Sequence, residues 1–375
     1  MNRIAAVEVS AGAVFAALGA AVLFGASTPV AKALVADVHP VVLAALLYLG
    51  SGLGLLAIRA PAWLRPGGTG LAPRDWPWLA GAIAFGGVLG PIALMLGLVR
   101  TSGASASLLL NLEAVLTALI AWVVFRENAD RRIVLGMALI VAGGVALAWP
   151  TDASGAHDAI GAALVAAACL CWAVDNNLTR KVSGGDATFI AGAKGLVAGS
   201  VNLTIGLAIG GQLPAPAPAA VALAVGLLGY GVSLVLFVIA LRGLGTARTG
   251  AYFSTAPFIG AAVAIGAFAE PTSSAFWLAA ALMGAGVWLH LTERHEHPHT
   301  HEPLEHAHPH VHDEHHRHDH DFAWDGSEPH AHAHGHAALT HSHPHYPDLH
   351  HRHAHGAAEH GSRATSSSTR TVSRT

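Results

Sequence analysis

LGLVRTSGASASLLLNLEAVLTALIAWVVFRE (residues 96–127) and IALRGLGTARTGAYFSTAPFIGAAVAIGAFAE (residues 239–270) are one unit written twice. Each copy runs from an apolar helix end through a short Gly/Ser/Thr turn carrying Arg into a long apolar helix. Each ends in Phe-x-Glu: Phe125 and Glu127 in the first copy, Phe268 and Glu270 in the second. The offset is constant, so Ala121 falls on Ala264 and Glu127 on Glu270. A duplicated apolar unit of this size predicts a membrane protein built from two halves.

Composition agrees. Hydrophobic residues make up 53% of the chain and charged residues 11%, against roughly 25% charged in an ordinary soluble domain. The charges within residues 13–291 fall mostly between apolar runs. Such a surface is solvated by lipid rather than water.

Apolar runs of about 20 residues cross a bilayer as helices. Ten are expected, near 13–36, 40–58, 77–98, 104–125, 132–149, 158–179, 187–209, 219–241, 246–268 and 274–291. Barrel strands would be shorter and would alternate in polarity. Gly and Ala are frequent inside the runs, as close helix packing in lipid requires; Gly50-x-x-x-Gly54 and Gly195-x-x-x-Gly199 are examples. The first run is too long for the apolar core of a secretory signal and is read as a true span.

Basic residues set the orientation. With a cytoplasmic N-terminus (residues 1–12), the inside loops carry Arg59, Arg65, Arg74, Arg126, Arg131, Arg132, Arg180, Lys181, Arg242 and Arg248. The outside loops carry Arg100 beside Asp37, Asp152 and Asp158. This bias satisfies the positive-inside rule with both termini cytoplasmic, and Trp76, Trp78, Trp149 and Trp277 suit an interfacial belt. Five spans per copy is an odd number, so the second copy enters the membrane from the opposite side. The expected fold is therefore all-α, with inverted five-helix repeats at 13–149 and 158–291 and a tail at 292–375. Inverted repeats place a substrate site at their interface, near mid-membrane.

Several further pieces carry a family likeness. They are Leu23-Phe24-Gly25 with Lys32 in the first span and Thr101-Ser102-Gly103-Ala104-Ser105-Ala106-Ser107 opening the fourth. Leu112-Glu113-Ala114-Val115 and Phe125-Arg126-Glu127 follow, then Cys171-Trp172-Ala173, Thr255-Ala256-Pro257 and Phe268-Ala269-Glu270 in the second half. In combination they resemble the EamA family of the drug/metabolite transporter superfamily, over residues 13–291. Phe24 stands where a Trp often precedes the glycine, and Ala114 where a Pro often follows the acid. The resemblance implies a permease or exporter of small organic solutes, ion-coupled and independent of ATP.

Ionisable groups inside a membrane are costly and mark function by default. Glu113 lies deepest, close to Asn111, and both are candidates for substrate binding or coupling. Glu113 is read either as a cavity carboxylate that takes and releases a coupling proton or as a structural acid bonded to a neighbouring helix. Asp175, Asn176 and Asn177 form a polar cluster in the sixth span. The asparagines are candidates to hydrogen-bond a zwitterionic or hydroxylated substrate, while Asp175 is expected to reach the interface or pair with Arg180. Lys194 could snorkel to the cytoplasmic face or pair with Glu113 or Asp175. Tyr252 could contact substrate, although packing between helices is the commoner use of such a residue. Tyr230, Pro91 and Pro257 punctuate helices that must bend if the halves rock. Cys169 and Cys171 point to different helix faces and read as small apolar fillers.

No Walker motif, dinucleotide fingerprint or hydrolase triad is present, so an enzyme is not expected and no cofactor is required. The expected partners are the bilayer, a small-molecule substrate, a coupling proton and a second copy in a homodimer, without nucleic acid. An inner membrane is the expected location.

From Arg294 the composition changes. Of 27 histidines, 24 lie between His295 and His360. The densest runs hold His306, His308, His310, His312, His315, His316, His318, His320, His330, His332, His334 and His336. Such a segment builds no apolar core and is expected to be disordered. Neutral imidazoles at flexible spacing bind Zn, Ni or Co with little selectivity. Two alternatives to the solute carrier follow: a metal-linked permease that collects metal with the tail, and a non-transporting membrane sensor of metal or pH.

Overall fold

A backbone in hydrocarbon must satisfy its own hydrogen bonds, so long apolar runs become helices. The computed structural model describes residues 11–63, 71–125, 131–149, 159–182 and 187–292, and in the tail 296–301, 304–310, 330–336 and 339–344. Among the described residues, ten helices are long and apolar enough to cross a membrane. Spans 1 to 5 are Ala11–Leu34, Pro40–Ile58, Pro73–Arg100, Gly103–Val124 and Arg131–Ala148. Spans 6 to 10 are Ala159–Thr179, Thr188–Ala208, Pro216–Ala240, Thr249–Phe268 and Ser274–Leu291. Phe15 is 74% exposed and Val123 67%, which suits lipid and would be an aggregation hazard in water.

Equivalent helices of the two halves pack against each other in opposite directions. Along spans 2 and 7, Val42 lies by Gly206, Leu49 by Gly199 and Gly52 by Gly195. Along spans 5 and 10, Gly136 lies by Gly286 and His290, and Gly143 by Ala279 and Met283. Numbers rise along one helix as they fall along its partner, so the pairs are antiparallel and the repeats inverted. A Cβ on Gly195 would press into the backbone of Gly52 at 2.7 Å; only glycine permits that approach.

Spans 4 and 9 meet in the same way, and this gives the Phe-x-Glu motif a physical role. Glu270, at the end of span 9, accepts from the backbone N–H groups of Gly103 (2.9 Å) and Ala104 (2.8 Å) at the start of span 4. Two N–H groups that a helix start leaves unpaired are thereby satisfied by the other half. Ala269 turns into the left-handed region (φ 50°), which ends the helix and brings Glu270 to this position. Lys32 Nζ donates to the carbonyl of Leu98 (2.6 Å), at the end of span 3.

The spans are less regular than the apolar runs suggest. Ile83–Leu89 and Gly226–Val232 are π-helical, at corresponding positions of the two halves. In the first, Gly90 N–H donates to Phe85, which frees the carbonyl of Gly86. The next residue, Pro91, has no N–H to offer, which frees Gly87. Side chains take both: Tyr48 Oη (2.6 Å) and Trp172 Nε1 (2.9 Å) donate to Gly86, and Asn202 Nδ2 donates to Gly87 (2.9 Å). The helix Ser233–Phe253 also folds back on itself, because the rings of Phe237 and Phe253 lie 4.9 Å apart. Sixteen residues of straight helix would separate them by about 24 Å.

The tail forms a separate unit from Arg294. Within it, Glu296–His301 pairs antiparallel with Leu339–Pro344, and Leu304–His310 with His330–His336. The alternation of His with small residues has the period of two that a strand requires. The rest of the tail lies outside the described residues.

Candidate functional site

Two helix breaks build the site. Span 4 divides at Leu110–Asn111, between Gly103–Leu109 and Leu112–Phe125. Span 9 divides at Ser254–Thr255, before Ala256–Phe268. The sequence reading expects a bend or gap near Pro257 but treats span 4 as unbroken. Local side chains explain the interruption by binding carbonyls that the helix would otherwise use. Asn111 Nδ2 donates to Leu108 (2.9 Å), Ser254 Oγ to Ala251 (2.8 Å) and Thr255 Oγ1 to Tyr252 (2.6 Å). Pro257 then starts the second half-helix without an N–H.

The breaks face a cavity of about 560 Å³ lined by spans 1, 4 and 5 of one half and 6, 9 and 10 of the other. Glu113 sits in the first turn after the break in span 4. Its Oε1 accepts from Asn176 Nδ2 at 2.9 Å, so the acid of one half is held by the amide of the other. Asn176 also reaches Thr117 Oγ1 (3.3 Å). Asn111 and Asn177 line the same cavity; Asn111 Nδ2 donates to its own helix, while Asn177 Nδ2 donates to Ala173 of its own helix (2.8 Å) and to the carbonyl of Thr117 in the other half (3.4 Å).

A second cavity of about 360 Å³ lies among spans 2, 6, 7 and 8 and shares Asn176 with the first. Lys194 lines it and places Nζ 2.6 Å from both oxygens of Asp175. Thr179 Oγ1 donates to the same carboxylate (2.8 Å). Each charge alone would be expensive at this depth, and the pair offsets both. Gly86 lies directly against Asp175; a Cβ there would overlap the carboxylate. Four rings run between the cavities: Phe253, Phe24, Tyr230 and Tyr48, with successive centroids 5.3, 6.0 and 5.7 Å apart.

The sequence-predicted residues therefore divide. Glu113 and Asn176 are joined, and Asn111 and Asn177 sit beside them. Asp175 is buried and paired with Lys194, one of the pairings the sequence left open; the side chain of Arg180 is outside the described residues. Lys194 pairs instead of snorkelling. Tyr252 packs with Ala13, Ala17, Ala240 and Leu244 rather than in the cavity, which its neighbours Gly250 and Phe253 line. Sequence reasoning missed Tyr48, Thr117 and His290 as site residues. Tyr48 carried a signal, as one of two hydroxyls, with Ser51, in an otherwise apolar span. His290 lines the cavity with Nε2 3.0 Å from the carbonyl of Ile133; its place at the end of the last span hid it among the tail histidines.

Among the described residues no group of three His, Cys, Asp or Glu side chains could hold a metal ion. In the tail ladder His306 is in register with His334, His308 with His332 and His310 with His330, while His336 faces Leu304. His312, His315, His316, His318 and His320 lie outside the described residues.

Known proteins share this architecture. The model of the EamA-like transporter family matches residues 11–149 and again 159–292. An uncharacterized transporter of Methanothermobacter thermautotrophicus is 30% identical over 285 residues, covering 72% of this chain and 83% of that protein. A probable 4-amino-4-deoxy-L-arabinose-phosphoundecaprenol flippase subunit ArnE of Pseudomonas paraeruginosa is 40% identical over 104 residues. That match covers 27% of this chain but 88% of the subunit, so the shared segment is about one repeat long. A solved crystal structure matches with TM-score 0.56 and 20% identity over 74% of this chain and 95% of its own, a likeness of fold.

Proposed function

The chain belongs to the EamA-like transporter family, and on that premise we propose that it is a secondary carrier of small organic solutes working by alternating access. The observation that carries this reading is the Glu113–Asn176 bond, which joins the two inverted halves across the larger cavity. A group shared in this way must exchange partners if the halves rock about the site.

The two ends of the cavity differ in a way that supports the reading. At one face Glu270 of the second half is bonded to the start of span 4. Toward the other, the lining runs to His290 and Leu291, the last residues of span 10. With both termini cytoplasmic in the inner membrane, that open end is the cytoplasmic one. Glu113 is then the group that takes and releases the coupling proton, since it is the carboxylate exposed to the path. The Lys194–Asp175 pair holds spans 6 and 7 in register around it.

The test is flux in proteoliposomes under an imposed proton gradient, with solutes drawn from a tolerance and metabolite screen of deletion and full-length strains. Glu113→Gln should abolish gradient-driven flux while leaving the protein folded. Gradient-driven flux that survives Glu113→Gln unchanged would remove Glu113 from coupling.

A further inference from the structure

Resting on the carrier reading, we propose that the two cavities form one binding site for a monovalent organic cation with an aromatic or bulky apolar body. Charge comes first. Among the described residues lining the larger cavity, Glu113 is the one carboxylate. The groups that meet it are neutral: the amide of Asn176 and, through it, the hydroxyl of Thr117. His290 lies in the last turn of span 10, its Nε2 set on the carbonyl of Ile133. In the smaller cavity Lys194 is already neutralised by Asp175 at 2.6 Å. The joined cavities therefore present one carboxylate compensated by an amide alone, and a ligand cation supplies the missing charge. An anion would have to draw Lys194 from Asp175, leaving that buried acid with the neutral hydroxyl of Thr179 in place of a charge.

The rings come second. Phe24 and Phe253 line the larger cavity, Tyr48 and Tyr230 the smaller. They form the continuous aromatic wall described above, with contributions from both halves. Aromatic faces attract cations, most strongly where water is excluded. A cation held by Glu113 next to such a wall can lay its apolar body along it.

Size comes third. A volume of about 560 Å³ in the larger lobe falls within the range of small-ligand pockets.

The experiment is equilibrium binding to the purified full chain in lipid nanodiscs, followed by calorimetry. Three probes of similar shape separate the terms: phenyltrimethylammonium, its neutral isostere tert-butylbenzene, and benzenesulfonate. The cation should bind at least tenfold more tightly than either of the others. Glu113→Gln should weaken it at least tenfold, and Glu113→Asp should restore part of the loss. Phe24→Leu, which keeps an apolar side chain, should weaken the cation roughly two- to thirtyfold and the neutral isostere less. Equal binding of all three probes, preference for benzenesulfonate, or cation binding indifferent to Glu113→Gln would each overturn the inference. The carrier reading fails separately: cation binding that depends on Glu113, with no flux of any solute, upholds the site and removes transport. Flux of anionic or neutral solutes without cation binding does the reverse.

Discussion

Lys194 and Asp175 make the strongest demand of any residue pair in the described structure, because neither charge is tolerable alone at their depth. Lys194→Met should destabilise the protein by about 3–5 kcal/mol, the usual cost of leaving one member of a buried pair behind. Adding Asp175→Asn should recover most of that loss, because the orphaned charge is gone. Thermal unfolding in a fixed detergent reads both variants, and a single variant no worse than the double would show that the pair is not coupled. The sequence supplied this pairing only as one of several alternatives. Nineteen residues separate the partners, and their meeting depends on the rotation of spans 6 and 7, which apolar composition leaves undetermined. The same limit hid the Glu113–Asn176 bond, whose partners lie 63 residues apart in different halves. Both residues were nonetheless recognisable as polar groups at membrane depth.

At the scale of elements, departures from regular helix carry the site, and each has a local cause. The π-helical segment Ile83–Leu89 releases the carbonyl of Gly86 to Tyr48 and Trp172. Tyr48→Phe alone should cost about 1 kcal/mol or less, since one donor remains; Trp172→Phe should cost more, because the smaller ring also leaves a cavity. The double variant should cost more than the sum, because the carbonyl is then left unpaired in an apolar setting. A double-mutant cycle in thermal or denaturant unfolding measures this; strict additivity would contradict it. Ala269 offers the opposite sign. It holds a positive φ that glycine adopts without strain, so Ala269→Gly should stabilise the fold by about 1 kcal/mol. A fall in unfolding temperature would show that the left-handed turn is not strained. These features were only partly legible. Pro91 and Pro257 flagged the neighbourhoods of a π segment and a break, but nothing marked Asn111, Ser254 and Thr255 as the residues that interrupt the helices. Whether such side chains cap a carbonyl or face outward is decided by tertiary packing. The span boundaries were easier, because lipid thickness fixes helix length.

For the molecule as a whole, the duplication was the most readable feature and the one with the largest consequences. A constant offset relates the Phe-x-Glu motifs, the two π segments and spans 5 and 10. Antiparallel packing of equivalent helices follows from five spans per copy. The substrate side is less legible because a cavity is assembled from both halves, and a sequence shows each wall separately. In the tail the alternation of His with small residues suits the strand pairing at the described segments. The central claim, two inverted halves around a shared cavity, is tested most directly by topology. In a chain with Cys169 and Cys171 replaced by Ala, single cysteines at Asn128 and Thr272 should be labelled by a membrane-impermeant thiol reagent from opposite sides. Thr272→Cys should react on intact cells and Asn128→Cys only after the membrane is opened; reaction of both from one side would contradict the account.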